Sequence, residues 1–233
     1  MKLYLYTISI ILISSLYNCD SRKVVNTKNQ SFVKDDTIKK YPKKSSTEKP
    51  WDSITRENSH AFLSLYGIQN KETKVRITTD FGTIDLRLFN DAPIHRANFI
   101  FLTKTGYFNH TVFYRIAKDM AIQGGDSDNV ISANIRNKYK NYLLNPEISR
   151  KRSHKYGALA AAKKLNDNPK MLSSPFDFYI VYNKSGAHHL DSDYTVFGEV
   201  ISGFSTIHKI ANVKTSDDDW PIEDVHMTIE VIE

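Results

Sequence analysis

The chain has 233 residues, of which 40% are hydrophobic, and it carries a formal charge of +6 and a single cysteine. One cysteine forms no internal disulfide, so we exclude a small domain held together by disulfide bonds. Nine basic and three acidic side chains fall in residues 22–49, whereas residues 50–233 contain 22 of each. The charge therefore belongs to one segment, and the neutral remainder gives no electrostatic reason to expect nucleic-acid binding.

The N-terminal residues are typical of a secreted, lipid-anchored protein. A nearly uncharged apolar run at residues 3–16 has the length of a signal-peptide core and is shorter than a membrane span. Leu16-Tyr17-Asn18-Cys19 is similar to a bacterial lipobox, although Asn18 stands where Gly, Ala or Ser is usual. We predict a signal peptide at 1–18 and a lipid on Cys19 that attaches the protein to a membrane of a bacterial cell envelope, facing the periplasm or at the outer membrane. An ordinary secretory signal, which would leave Cys19 as a free thiol, is the alternative.

Residues 19–50 are basic, rich in Ser, Thr and Asn, and poor in apolar side chains. Such a segment cannot bury enough apolar surface to offset its conformational entropy, so we predict a disordered linker. Its lysines can contact anionic lipid headgroups near the anchor, or the segment is only a soluble spacer.

A short helix precedes the main domain. Residues 51–66 place apolar side chains near one helical face, and Gly67 is expected to end the helix. We assign residues 51–72 to this helical extension and residues 73–233 to the domain that carries the function.

From residue 74 the apolar period changes to two, which predicts β-strands, with a first hairpin turning at Asp80-Phe81-Gly82. A helix follows Pro93 and stops near Gly106, and a second interior helix surrounds Ile207. Many antiparallel strands with two interior helices indicate, by pattern alone, a mostly-β barrel or sandwich. The remaining strands are predicted around Phe113 and Ile122, then, after an irregular stretch, at residues 157–162, 178–181, 194–200 and 227–231.

The segment from Phe113 to Asp126 is the most informative part of the chain. Arg115 and Gln123 lie eight residues apart, one in each of two predicted strands. If the strands pair, a guanidinium and an amide lie together on one face, among Phe113, Met120 and Ile122. A few polar donors in an apolar setting are typical of a peptide-binding site.

This segment closely resembles the signature of the cyclophilin-type peptidyl-prolyl isomerases, which runs roughly Phe-His-Arg-Val-Ile-Lys-Gly-Phe-Met-Ile-Gln-Gly-Gly-Asp. Other blocks resemble the same family and follow in the same order. They are Ala97-Asn98-Phe99 with Gly106-Tyr107-Phe108, Gly157–Ala162, Phe178–Val181, and His189–Gly198. One such block is a weak signal, but five in the right order identify the region from Lys74 to Glu233 as a member.

The resemblance implies a closed eight-stranded antiparallel barrel capped by two α-helices. It implies rotation about X-Pro bonds in proline-containing polypeptides, without a cofactor or metal, and we expect a monomer. Arg115 is implied to hydrogen-bond the proline nitrogen in the twisted transition state, with Gln123 holding that arginine and the substrate backbone. The substrate-binding positions implied are Phe113, Met120, Ala121, Asp177, Tyr179, His189, Leu190 and Tyr194.

The chain departs from the family pattern at several of these positions. Met120 and Ala121 replace a Phe and a Met, which predicts a wider and less aromatic proline pocket. Tyr114 replaces a His, which we interpret as a change outside the donor pair. Asp177 replaces a substrate-contacting Gln, and we hypothesise that its carboxylate pairs with Arg115.

Three functions remain open at this point. The first is an active isomerase acting on envelope proteins during folding. The second is a weakly catalytic or non-catalytic peptide-binding or chaperone lipoprotein, and the third is a scaffold. His188 and His189 give no metal site, since adjacent strand residues point to opposite faces, and Asp217-Asp218-Asp219 is interpreted as a solvated loop.

Overall fold

The computed structural model describes residues 54–139, 142–163 and 168–232. The predicted signal peptide at 1–18, the lipid on Cys19 and the linker at 19–50 lie outside the described residues. Within those three ranges, no helix has both the length and the apolar character of a membrane span.

Within the described ranges, nine strands form one antiparallel sheet in the order β8-β3-β4-β6-β5-β7-β2-β1-β9. In β5 and β6, alternate side chains face the barrel core and the outer face. The strands are β1 (Lys74–Thr79), β2 (Gly82–Leu88), β3 (Val112–Ala117), β4 (Ala121–Asp126), β5 (Ala158–Ala161), β6 (Phe178–Val181), β7 (Val196–Ser202), β8 (Val225–His226) and β9 (Thr228–Val231).

The barrel closes because its last strand changes partners. β8 pairs with β3, β9 pairs with β1, and only Met227 separates the two. Together they occupy the place of one strand between β1 and β3, so neither of those strands presents an open edge there. The predicted mostly-β closed barrel is confirmed, and the split strand explains why nine strands are found where eight were expected.

Four α-helices lie outside the sheet in the described ranges. The predicted helix at 51–66 instead spans Ser59–Gln69, with Gly67 inside it. A Cβ on Gly67 would approach the Cβ of Ala97 to 3.0 Å, so this glycine allows close helix packing and does not end the helix. The helices are α1 (Ser59–Gln69), α2 (Pro93–Lys104), α3 (Val130–Lys138) and α4 (Phe204–Ala211).

Helices α2 and α4 pack against barrel strands, in the positions of the two predicted capping helices. Helix α3 lies in the stretch that was predicted to be irregular. Its apolar residues Val130 and Ile131 are 71% and 48% exposed, so the stretch lacks the one-sided apolar pattern by which a helix is recognised. Asn129 caps α3 by accepting a hydrogen bond from the Ile131 amide at 2.8 Å.

Aromatic side chains fill the barrel interior. The rings of Phe99 on α2 and Phe108 lie 4.8 Å apart, and Phe99 meets Phe178 of β6 edge-on at 5.4 Å. Phe113 of β3 contacts Phe178 at 6.0 Å. All four side chains are at most 2% exposed, so the interior is a packed core and any ligand must bind on the outer face.

Glu147 anchors the loop before β5 to the start of α2. Its carboxylate accepts hydrogen bonds from the amides of Ile94 at 3.0 Å and His95 at 2.9 Å, and from the His95 ring at 2.6 Å. These amides are the unpaired donors of a helix N-terminus. Burial alone raises the pKa of Glu147, but the bonds from His95 and Ile94 outweigh it and hold the pKa below its ordinary value.

We expect Glu147→Gln to lower the free energy of unfolding near neutral pH by about 1–2 kcal/mol, because it removes this charged cap. Stability from a depressed carboxyl pKa is present above the unfolded-state value of about 4.3 and is lost as the pH falls through the folded-state value. Urea denaturation from neutral to acid pH should therefore show the free energies of unfolding of parent and variant converging as the pH falls. Glu223→Gln, at an exposed glutamate, is the control; an equal loss there would contradict the assignment.

Candidate functional site

A bulge in β3 turns two consecutive side chains to the outer face of the barrel. Phe113 pairs with Gly124, but Arg115 pairs with Gln123, so an advance of two residues along β3 is matched by one residue along β4. Phe113 and Ile116 point into the core, whereas Tyr114 and Arg115 are only half-buried. The bulge therefore places a phenol and a guanidinium side by side.

Arg115 begins a row of directly paired residues that crosses the outer face. Arg115 pairs with Gln123, Gln123 with Tyr179, and Tyr179 with Ala160. Adjacent strands lie about 4.8 Å apart, so the row brings the predicted donor pair next to the predicted pocket.

The residues predicted to bind the proline ring form one cluster on this outer face. Ala121 and Tyr179 are buried in it, and Met120, Leu190 and Tyr194 pack around them. The cluster is separate from the barrel core and is built from the opposite faces of the same strands. It is an apolar surface next to a donor row, which is the arrangement that a peptide site needs.

The hydroxyl of Tyr179 has a buried partner beneath this pocket. It lies 2.9 Å from Nε2 of His154, whose Nδ1 lies 2.7 Å from the Asp191 carboxylate. Burial lowers the pKa of His154, although Asp191 opposes the shift, so the ring is neutral. Its Nδ1–H then donates to Asp191 and its Nε2 accepts from Tyr179.

Each of the two donor side chains is held by a neighbour. Nη2 of Arg115 donates to Asp219 at 3.0 Å, with both side chains more than a third exposed. The amide nitrogen of Gln123 donates to the hydroxyl of Tyr114. Burial raises the pKa of Tyr114, so this hydroxyl stays protonated.

Asp177 is paired on the far side of Gln123. Its carboxylate accepts hydrogen bonds from Arg136 of α3 at 3.0 Å and from the Ser174 hydroxyl. Burial raises the pKa of Asp177, although Arg136 opposes the shift. The guanidinium of Arg136 also donates to the Gly125 carbonyl at 2.8 Å and the Tyr107 hydroxyl at 2.7 Å, which fixes its position.

A groove of about 840 Å³ runs past these groups. Tyr114, Gln123 and Asp177 line one wall, together with Arg136. Gly125 at the edge of this wall has φ of +102°, and a Cβ there would lie 2.1 Å from the Phe176 carbonyl oxygen, so only glycine fits. The groove is lined by the donor Gln123 and by Asp177, whereas Arg115 and the apolar cluster around Tyr179 lie outside its lining.

The family model described as cyclophilin type peptidyl-prolyl cis-trans isomerase/CLD matches residues 74–231. The chain belongs to the cyclophilin-type peptidyl-prolyl cis-trans isomerases. A peptidyl-prolyl cis-trans isomerase of Acinetobacter baylyi is 34% identical over 161 residues, covering 66% of this chain and 79% of that protein. A putative one of Staphylococcus epidermidis is 32% identical over 180 residues, covering 68% and 90%.

Solved cyclophilins share the fold. The crystal structure of a Cryptosporidium parvum cyclophilin type isomerase, in the presence of the dipeptide Ala-Pro, is 26% identical with a TM-score of 0.57. The match covers 69% of this chain and 99% of that one.

The structure corrects three predictions about this cyclophilin site. Phe113 was named as a substrate-binding residue, but its ring is fully buried in the barrel core. Ile122 also points inward, so neither lies beside the donor pair. Asp177 pairs with Arg136, which is held beside it by the Gly125 carbonyl and the Tyr107 hydroxyl, and Arg115 pairs with Asp219 instead. His189, by contrast, is exposed in a short 3-10 turn at the rim, where it remains accessible.

Sequence reasoning missed four residues of this cyclophilin site. Tyr114 was interpreted as outside the donor pair and Asp219 as part of a solvated loop, yet each contacts a donor. Arg136 lies on the unpredicted helix α3, and His154 lies in a stretch without a pattern. The bulge that brings Tyr114 outward has no signal in the sequence, whereas the acidic run at Asp219 does.

Among residues 54–139, 142–163 and 168–232, no three His, Cys, Asp or Glu side chains lie close enough together to hold a metal ion. The arrangement instead offers hydrogen-bond donors, an apolar pocket and a groove. Such an arrangement can hold a polypeptide and donate hydrogen bonds to it.

Proposed function

We propose that the protein catalyses rotation about X-Pro bonds by hydrogen bonding from Arg115 to the proline nitrogen. Amide resonance gives this rotation a barrier of about 18–20 kcal/mol. In the twisted state the nitrogen regains its lone pair and accepts a hydrogen bond, and a site that binds this state best accelerates rotation. The row from Arg115 through Gln123 to Tyr179 is the observation that carries the proposal.

Arg115 suits this role because its guanidinium stays charged and has five N–H donors. Asp219 engages Nη2, which leaves donors on the same planar group for the substrate. We assign Asp219 the role of a positioning residue, since it contacts the arginine rather than the reacting bond.

A peptide-binding protein with slow turnover is the second candidate. The observation that favours it is that both donor side chains already have partners, Asp219 for Arg115 and Tyr114 for Gln123. Substrate must share or displace these bonds, which lowers the net gain in the transition state.

We also propose that the protein acts on folding polypeptides of a bacterial cell envelope, anchored by a lipid on Cys19. The apolar run at 3–16 and the lipobox-like residues before Cys19 support this location. The basic segment at 22–49 supports a tether that lies near anionic headgroups.

Arg115→Ala should lower kcat/KM for a short X-Pro peptide by about 100-fold or more, because a preorganised donor to the transition state is lost. A protease-coupled isomerisation assay measures this. Arg87→Ala is the matched control, since Arg87 is an exposed strand arginine paired with Glu199. A variant at Arg115 that retains the parent rate would refute the mechanism, whereas peptide binding with little turnover in the parent would favour the second candidate.

Asp219→Asn should lower kcat by only about two- to fivefold with little change in KM, because the ion pair is half-exposed and such pairs contribute about 0–1 kcal/mol. The salt dependence of kcat should also weaken, since salt screens this pair in the parent. Asp218→Asn removes the neighbouring exposed carboxylate as a control. An unchanged or increased kcat in Asp219→Asn would rule out its role in positioning Arg115.

Cys19→Ala should move the full-length protein from the membrane fraction of a bacterial host to the soluble fraction, because the acyl chains contribute about 0.8 kcal/mol per buried CH₂. Asn18→Gly, which restores a usual lipobox residue, should remain with the membrane. Fractionation with metabolic labelling by a fatty acid tests both variants. If the parent carries no label, the anchor is absent and Cys19 is a free thiol.

A further inference from the structure

A second cavity, which we call the cleft, has a volume of about 240 Å³ and lies beside the groove described above. It is enclosed by the start of β3, the residues that follow β4 and the loop that leads to β8. Tyr114 lines both cavities, so they share a wall. This cleft is smaller than the pockets of about 300–1,000 Å³ that hold whole small ligands. Its size suits one side chain of a polypeptide that lies in the groove.

The walls of the cleft are apolar and aromatic. Trp220 is 53% exposed and meets the ring of Tyr114 edge-on at 6.3 Å. Val112, Phe113 and Pro221 complete the apolar lining. Tryptophan is enriched at binding hot spots, and its ring face attracts cations more strongly than other aromatic rings.

The rim of the cleft is acidic. Asp126, Asp128 and Asp224 line it, and no Lys, Arg or His does. Asp126 is paired with Arg136 at 3.0 Å. Asp128 and Asp224 are exposed and form no ion pair with any residue that the structure describes. Two uncompensated carboxylates therefore face an aromatic hollow.

The rim carboxylates do not form a metal site. In the described part of the chain, they belong to no group of three acidic, histidine or thiol side chains that is tight enough for an ion. Carboxylates spread around a hollow instead complement a larger cation with an apolar stem, which is the shape of a lysine or arginine side chain.

We propose that this aromatic cleft binds a lysine or arginine side chain of the proline-containing polypeptide and so selects basic substrates. The stem would lie against Trp220 and the charged head between Asp128 and Asp224. The proposal deepens the proposed isomerase function and rests on the groove being the path of the substrate.

Binding is tested independently of turnover by the fluorescence of Trp220. The chain has only two tryptophans, Trp51 and Trp220, so Trp51→Phe in the full chain leaves one reporter. X-Pro peptides that are identical except for Lys or Gln, placed at successive positions on either side of proline, are titrated into this protein. In one register we expect the Lys peptide to shift the emission and to bind about fivefold more tightly than the Gln peptide.

Two double variants that remove the same charge test whether the preference for the Lys peptide depends on the carboxylates of the cleft. Asp128→Asn with Asp224→Asn should abolish the preference for Lys while leaving kcat/KM for the Gln peptide unchanged. Asp217→Asn with Asp218→Asn removes the same charge from exposed positions outside the cleft and should keep the preference. All four positions are exposed, so both double variants should fold.

Equal binding of Lys and Gln peptides in every register would overturn the proposal. So would loss of the preference in the Asp217 and Asp218 variant, because the general field of the loop would then be its cause. Calcium ions are titrated into the same protein as well. An emission shift with calcium but without any preference for the Lys peptide would also overturn the proposal. Turnover of the Gln peptide reports on the isomerase function separately: a Lys preference in binding without turnover supports the cleft and refutes the mechanism.

Discussion

The closure of the barrel by a divided strand is the constraint on which the site depends. β8 and β9 bind opposite ends of the sheet, so a few residues near the C-terminus join β3 to β1. The strand that carries Arg115 is thereby bonded on both sides, to β4 and to β8. A site made of side chains from three strands can be held in register only if those strands cannot slip.

On the outer face of this barrel, apolar and polar side chains have two different roles. The apolar cluster around Tyr179 offers a surface to a proline ring, and the polar row offers donors to the bond beside it. Acidic partners come from loops outside the strands, with Asp219 on one side and Asp177 on the other. Positive groups of the site are therefore paired with acidic groups from loops, Arg115 with Asp219 and Arg136 with Asp177.

The sequence predicted what depends on local pattern and on ordered motifs. The hairpin at Gly82 and both interior helices follow from the apolar period and the turn residues, whereas the clustering of Met120, Ala121, Leu190 and Tyr194 was implied by the family resemblance. The partners of Asp177 and Arg115 did not follow, because they depend on contacts over 41 and 104 residues of chain. The bulge at Tyr114 lies within the β3–β4 hairpin but has no signal in the sequence. Helix α3 failed for a different reason, since Val130 and Ile131 face solvent while Ile135 and the arginine Arg136 make its packing contacts.

The hydroxyl of Tyr179 gives the pocket a second layer. A phenylalanine, which the family pattern favours, would fill the same space but leave the buried Nε2 of His154 without its partner. Asp191, which holds the other nitrogen of that ring, sits in the rim turn directly after Leu190. Substitutions at positions 154, 179 and 191 are therefore coupled, and exchange of the pocket floor between cyclophilins requires the three residues to be transferred as a set.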